Sequence, residues 1–318
     1  MAEIELPALS GTNPLGLFAA LGALDVATRA LGGPVTLRWT DSLEPTAILR
    51  GPDSLDQLVD LIDTDRDRWV SSPILTWGPG SKPLTDLKPS PNDLRSWFQL
   101  VLEEYRHTGD RTDIDLMSGL VAEGAVAGKG DSKPTHFHFT AGQQRFLTMV
   151  RELHQGLDAG RIREALAGPW RYDSRLPVLG WDTRGERIYA LRGFNPSSDK
   201  KLGVPGADWL GFLGLRFFPV AVRSGRSGKP QLITTGCSPG WKTGDFTWPL
   251  WVVDLSAEVI GSVLGDRELI DLTPTERLAL GISEVLRVPI RRTDQGGYGS
   301  FGPPGPARSR GRRATDQA

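Results

Sequence analysis

The chain has 318 residues, 39% of them hydrophobic, with a formal net charge of −1, so it can bury a large core and is neither disordered nor fibrous. Its longest apolar run, Leu15 to Leu24, falls short of the ~18 residues that cross a bilayer, and Glu3 and Glu5 stand where a secretory leader carries basic residues. Cys237 is alone, which excludes an internal disulfide and a Cys-based zinc site and points to the cytoplasm.

Ser10 to Gly33 opens the chain with a buried helix. Thr12 or Asn13 supplies the cap, Pro14 suits the first turn, and Gly32 and Gly33 supply a left-handed stop. Between them almost no polar face remains, so this helix must be enclosed on most sides. Val35–Trp39 and Thr46–Arg50 read as strands, and Asp53 or Ser54 caps a helix to Trp69 with Leu55, Leu58, Val59, Leu61 and Ile62 inward. The Asp-rich face of that helix lacks the glycine and distal glutamate of a calcium loop and reads as solvated. Residues 71–92 read as a long surface loop. Ser90 then caps a helix to about His107, with Trp97, Phe98, Val101 and Leu102 inward, and Thr112 caps a shorter one to Glu123.

Gly124 to Pro134 is glycine-rich and basic, carrying Lys129 and Lys133, and reads as a flexible connector or a nucleic-acid-contacting loop. Thr135 to Thr140 alternates, so it reads as a strand with His136 and His138 on one face and Phe137 and Phe139 on the other. Thr140 would then cap a helix from Ala141 to Gly156, where free amides, the helix dipole, Gln143, Gln144 and Arg145 are suited to an anion. Imidazoles two apart on a strand can chelate, which leaves a metal site at His136 and His138 as an alternative. No third ligand has a recognisable spacing to them.

A helix from Asp158 to Ala167, a strand at Glu186–Leu191 and a loop from Gly193 to Pro205 with Lys200 and Lys201 follow. Aromatics interleaved with Arg and Lys across this stretch suit either a nucleic-acid backbone with stacked bases or plain core packing. Pro205–Leu215 reads as a helix. Phe217–Val222 and Gln231–Thr235 read as a hairpin whose tip, RSGRSGK, carries Arg223, Arg226 and Lys229. That tip lacks the spacing of a phosphate-binding P-loop but suits phosphate contacts along a groove. Phe246–Leu255 reads as a buried strand, Ser256–Leu264 as a helix, and Thr273-Pro274-x-Glu276 as a capping box opening a helix to about Arg287.

These elements predict an α+β fold of helices and antiparallel strands in one or two lobes. Its parts are an acidic N-terminal one over 1–124, a basic one over 125–293, and a disordered Gly/Pro/Arg tail over 294–318. The first carries 10 basic against 19 acidic residues, and residues 125–229 of the second carry 17 against 9. Either the basic part faces a polyanion, or the fold interleaves the two and cancels their fields.

The pattern G-T-N-P-L-x-x-x-A-A-L-G from Gly11 to Gly22 resembles the opening of large-subunit proteins from type I CRISPR loci of the I-U/I-G group. Ala141-Gly142-Gln143-Gln144 and Leu210-x-x-Leu213-Gly214-Leu215-x-x-Phe218-Pro219 add to the resemblance. It implies a subunit of an antiviral ribonucleoprotein complex. Such a subunit contacts crRNA and target DNA, sits beside other CRISPR effector subunits, and leaves cutting to a helicase-nuclease recruited in trans. That role involves no membrane and calls for no cofactor. The matching pieces name no contact residues, so the candidate nucleic-acid set comes from the basic loops and the helix cap: Lys129, Lys133, Gln143, Gln144, Arg145, Lys200, Lys201, Arg223, Arg226 and Lys229. No G-x-S-x-G elbow, dinucleotide fingerprint or H-E-x-x-H is present, so an enzyme reading rests on His136 and His138 as a metal-dependent nuclease or phosphoesterase. A protein-interaction scaffold is the remaining alternative.

Overall fold

The computed structural model describes residues 2–140, 142–183, 202–225, 228–241, 244–292 and 298–308. The fold is α+β. Strand β1 (Glu3–Ser10) leads into helix α1 (Pro14–Leu31), which Asn13 caps by accepting the Leu15 amide and Gly32 ends in the left-handed region. Strands β2 (Thr36–Trp39) and β3 (Thr46–Arg50) follow, and β3 lies between β1 and β2, antiparallel to both. The unit is therefore a split β-α-β, with α1 as the crossover. Ile4, Leu6, Leu37, Trp39, Ala47 and Leu49 line the inner face. The outer face carries Glu3, Arg38 and Arg50, which pair with each other and with Asp254. Strand β1 went unanticipated because Pro7 interrupts its alternation.

Helix α1 passes a length-and-hydropathy test for a membrane span, but 78% of that stretch is buried inside the protein. Most of that burial is against helix α8 (Pro205–Gly214). The two backbones approach so closely that a Cβ on Gly22 would lie 2.0 Å from the Leu210 carbonyl oxygen. A Cβ on Gly214 would lie 2.1 Å from that of Phe18. Only glycine permits this seam.

Helices α2 (Leu55–Trp69), α6 (Phe146–Gly156) and α7 (Ala159–Ala167) pack against the pair, and α4 (Pro91–Thr108) lies further out. Ser54, Ser90 and Asp158 cap three of them by accepting the amides of Gln57, Asp93 and Arg161. On α4 only Leu94, Trp97 and Val101 are buried, while Phe98 is half-buried and Leu102 is exposed. Residues 71–92 are more structured than a surface loop. They contain the short helix α3 (Pro73–Thr76), and Trp77 stacks on Trp97 with ring centroids 6.0 Å apart. Thr112 does not cap helix α5 (Thr112–Leu120) but is its first residue, donating its amide to Asp110, and the helix stops at Leu120 where a strand begins instead of reaching Glu123.

Several expectations fail for identifiable reasons. The connector 124–134 is a hairpin, β4 (Val121–Val126) with β5 (Ser132–Pro134), closed by a turn in which Ala127 donates to Asp131. Thr135–Thr140 is not a strand. It is a buried, turned segment whose backbone groups are satisfied mainly outside any sheet ladder. His136 N–H donates to Thr234 Oγ1, the Trp181 indole N–H donates to Phe137 O, and Arg292 donates to the carbonyls of His136 and His138. Phe137 and Phe139 therefore both turn into the core, and Phe137 meets Phe18 at 4.9 Å. Helix α6 begins only at Phe146, because Gly142 adopts a φ of +63° ahead of it.

Strands β6 (Val220–Ser224) and β7 (Pro230–Thr234) form the second hairpin. Strand β8 (Asp245–Trp251) precedes helix α9 (Ala257–Gly265). The capping box at Thr273 opens helix α10, but α10 covers only Pro274–Ala279. Gly281, at φ +75°, ends it, and Ile282–Arg292 becomes strand β9. The β-branched Ile282, Val285, Val288 and Ile290 are buried there, which suits a strand and disfavours a helix. The predicted disordered tail is ordered in part. Strands β10 (Gly299–Phe301) and β11 (Gly305–Pro306) add to the free edge of β9, because Phe301 is buried 4.8 Å from Phe139. The predicted strand at 186–191, the loop lysines 200 and 201, Arg226, and residues 309–318 lie outside the described residues.

One hydrophobic cluster runs from Ile4 to Ala307 and draws on both the acidic and the basic parts of the chain. Ion pairs cross between those parts too. Arg163 pairs with Asp56, and Arg216 pairs with Asp25 and Asp115.

Candidate nucleic-acid interface

Three stretches singled out by sequence, the hairpin β4–β5, the turn 142–145 and the hairpin β6–β7, meet at the buried segment 135–140. His136 follows β5, and its amide and Nδ1 both meet Thr234 Oγ1 at the end of β7, at 3.1 and 2.8 Å. Midway along the hairpins, a Cβ on Gly124 would lie 3.9 Å from Val222. Joined at base and middle, the hairpins run side by side, so their turns at 127–131 and 225–229 project at the same end. Lys129 is exposed in one turn and Lys229 in the other, Arg223 is exposed on β6 and Lys133 is half-buried on β5. Among the described residues, none of the four makes an ion pair.

Other arginines of the basic part are spent internally. Arg216 closes on Asp25 and Asp115, Arg171 on Glu164, and Arg151 donates to the Leu75 and Leu84 carbonyls. What the sequence presents as one basic segment is therefore divided. Structural cations hold the fold, and a small set on the paired hairpins remains open to solvent.

The start of α6 differs from its sequence reading. The Phe146 amide donates to Asp86 Oδ1 at 3.3 Å and the Thr148 amide to the Thr85 carbonyl at 3.2 Å. The anion suited to that helix end is thus the protein's own carboxylate. Burial works against the ionised form of Asp86, but the His138 hydrogen bond and charge, Lys88 and the Leu87 amide together hold its carboxyl below the usual range. Gln143 and Arg145 are exposed ahead of the helix, Gln144 is half-buried, and Arg145 donates to the Gly142 carbonyl.

His138 Nε2 lies 2.6 Å from Asp86 Oδ1 and 3.0 Å from Thr140 Oγ1, while His136 faces Thr234. The two imidazoles therefore do not present ring nitrogens to one point as strand neighbours would. Among the described residues no group of three or more His, Cys, Asp or Glu is arranged around a metal position. Burial, helped by the charge of Arg292, pushes His136 down to about 4. Cys237 is fully buried, which pushes its thiol far up and leaves it unreactive.

Arg292 organises this corner. It donates to the carbonyls of His136, His138 and Trp241 at 2.7, 2.8 and 3.0 Å. Its guanidinium carbon also lies 3.7 Å from the Trp241 ring centroid and 5.2 Å from that of Phe139. Burial lowers its pKa to about 10, still well above neutrality. The one signal in the sequence for Trp241 is its setting, a tryptophan inside the turn-forming run Ser-Pro-Gly-Trp-Lys-Thr-Gly.

Compared with known proteins, the chain matches no family model and no curated protein.

Proposed function

We propose that this protein is a nucleic-acid-binding subunit of an RNA-guided CRISPR surveillance complex, contacting target DNA and crRNA in the cytoplasm without catalysis of its own. The observation that carries the binding reading is the pair of parallel-running hairpins, with Lys129, Lys133, Arg223 and Lys229 exposed or half-exposed at one end and tied to no carboxylate among the described residues. Unpaired cations on a rigid support are what a phosphate backbone requires, and such contacts fix register without reading sequence. The CRISPR assignment rests on the resemblance at Gly11–Gly22, Ala141–Gln144 and Leu210–Pro219. In such a complex base pairing reads the target while the protein holds backbone and separated strands, which asks for this kind of surface. Other effector subunits and a helicase-nuclease acting in trans would complete the machine.

The test is binding of duplex and single-stranded DNA and of RNA, as the free protein and with partner subunits, across a salt series. Affinity is expected to fall steeply with salt. Arg223→Ala with Lys229→Ala is expected to flatten the logarithmic slope by about 0.9 per lost duplex contact, equally for unrelated sequences. No binding at low salt in any setting would overturn the reading.

A further inference from the structure

Trp241 is 37% exposed, although the protein buries most of its other tryptophans. Its ring is nevertheless fixed. Arg292 lies against it at 3.7 Å and is itself held by three backbone carbonyls, one of them Trp241's own. The His136 ring stands 5.9 Å away, tilted by 52°, at the point where the two basic hairpins join. A large aromatic surface that is both exposed and immobilised has little freedom left to lose when a ligand stacks on it.

We propose that Trp241 is a stacking platform for an unpaired nucleobase of a single-stranded nucleic acid whose phosphates lie along the β4–β5 and β6–β7 hairpins. This rests on the nucleic-acid reading above and names the form of strand that the surface takes. A cationic ligand is disfavoured, because Arg292 already lies against the ring. A duplex keeps its bases stacked on each other and offers none to an exposed tryptophan, whereas a separated strand offers a π-face at every nucleotide. The platform is sequence-tolerant for the same reason.

The experiment compares wild type and Trp241→Ala in binding three labelled ligands: a single-stranded oligonucleotide, an abasic phosphodiester strand of equal length, and a duplex. Trp241→Ala is expected to weaken the base-bearing strand by about 5- to 100-fold and to leave the abasic strand, the duplex and the salt slope unchanged, with Trp241→Phe recovering part of the loss. An equal loss on the abasic strand, or no loss on either, would overturn the platform while leaving the hairpins intact. Salt-independent or absent binding by wild type would instead overturn the nucleic-acid reading, and the platform with it. Should Trp241→Ala fail to fold, wild type is mixed with a strand containing 2-aminopurine. Quenching of that base supports stacking, and unchanged fluorescence in a formed complex refutes it.

Discussion

Arg216 and Arg223 lie on either side of strand β6's first residues, yet they belong to different worlds. Arg216 sits by the α1–α8 seam, with Asp25 and Asp115 on its guanidinium, and Asp25 is almost wholly buried. Arg223 stands on the β6–β7 hairpin in solvent and pairs with nothing among the described residues. The seam is dense, glycine-bearing and charge-neutralised, whereas the hairpin corner is open, with cations unspent. A cation that holds a fold together and one offered to a ligand are told apart by the carboxylates around them, not by the local density of Lys and Arg in the chain.

This contrast can be broken most sharply at the seam. Gly214→Ala places a methyl 2.1 Å from the Phe18 carbonyl, where backbone must move, and is expected to cost about 3 kcal/mol in urea unfolding. A loss under 1 kcal/mol would mean that the two helices can separate freely.

Next in size is a pH effect from the joint between the hairpins. Burial, then the charge of Arg292, lowers His136 from 6.5 to about 4 in the folded state. Between those values the unfolded chain takes up a proton that the folded chain refuses. Stability is therefore complete above about pH 6.5 and is lost as the pH falls toward 4, by at most about 3 kcal/mol. His136→Gln should lose less than wild type on the same descent. Parallel pH curves for the two proteins would show that His136 titrates normally.

Arg216→Met removes one of the two arginines on buried Asp25 and is expected to destabilise by about 2 kcal/mol. Its salt slope for nucleic acid should not change. The double variant Arg223→Ala, Lys229→Ala should do the reverse. Its stability should stay within about 0.5 kcal/mol of wild type, as for exposed residues without partners, while the slope flattens. If both variants shift stability and slope together, the division between structural and offered cations collapses.

Local signals foretold the helices well. Asn13, Ser54, Ser90, Asp158 and Thr273 each accept the amide that their cap positions imply. The RSGRSGK hairpin was legible because two β-branched runs flank a Gly-rich turn. Where the reading failed, the deciding partner lay far away in sequence. The His136–Phe139 stretch alternates like a strand, but Arg292, Trp181 and Thr234 take its backbone groups, and no local pattern announces residues so distant. The anion expected at α6 proved to be Asp86, sixty positions earlier. Residues 299–306 look too poor in apolar side chains to order, yet the free edge of β9 and a pocket for Phe301 organise them.

By itself, then, the sequence determined most of the helices and several of their caps, that α1 must be enclosed, and which hairpin tip carries charge. These follow from periodicity, capping and turn chemistry, all acting within a few residues. Tertiary structure alone decided that α8 encloses α1 through facing glycines, that the two basic hairpins lie together, which arginines are neutralised, and that Trp241 stands exposed on Arg292. Each of these is a contact between distant parts of the chain, and a pair of residues becomes neighbours only when the whole core has closed around them.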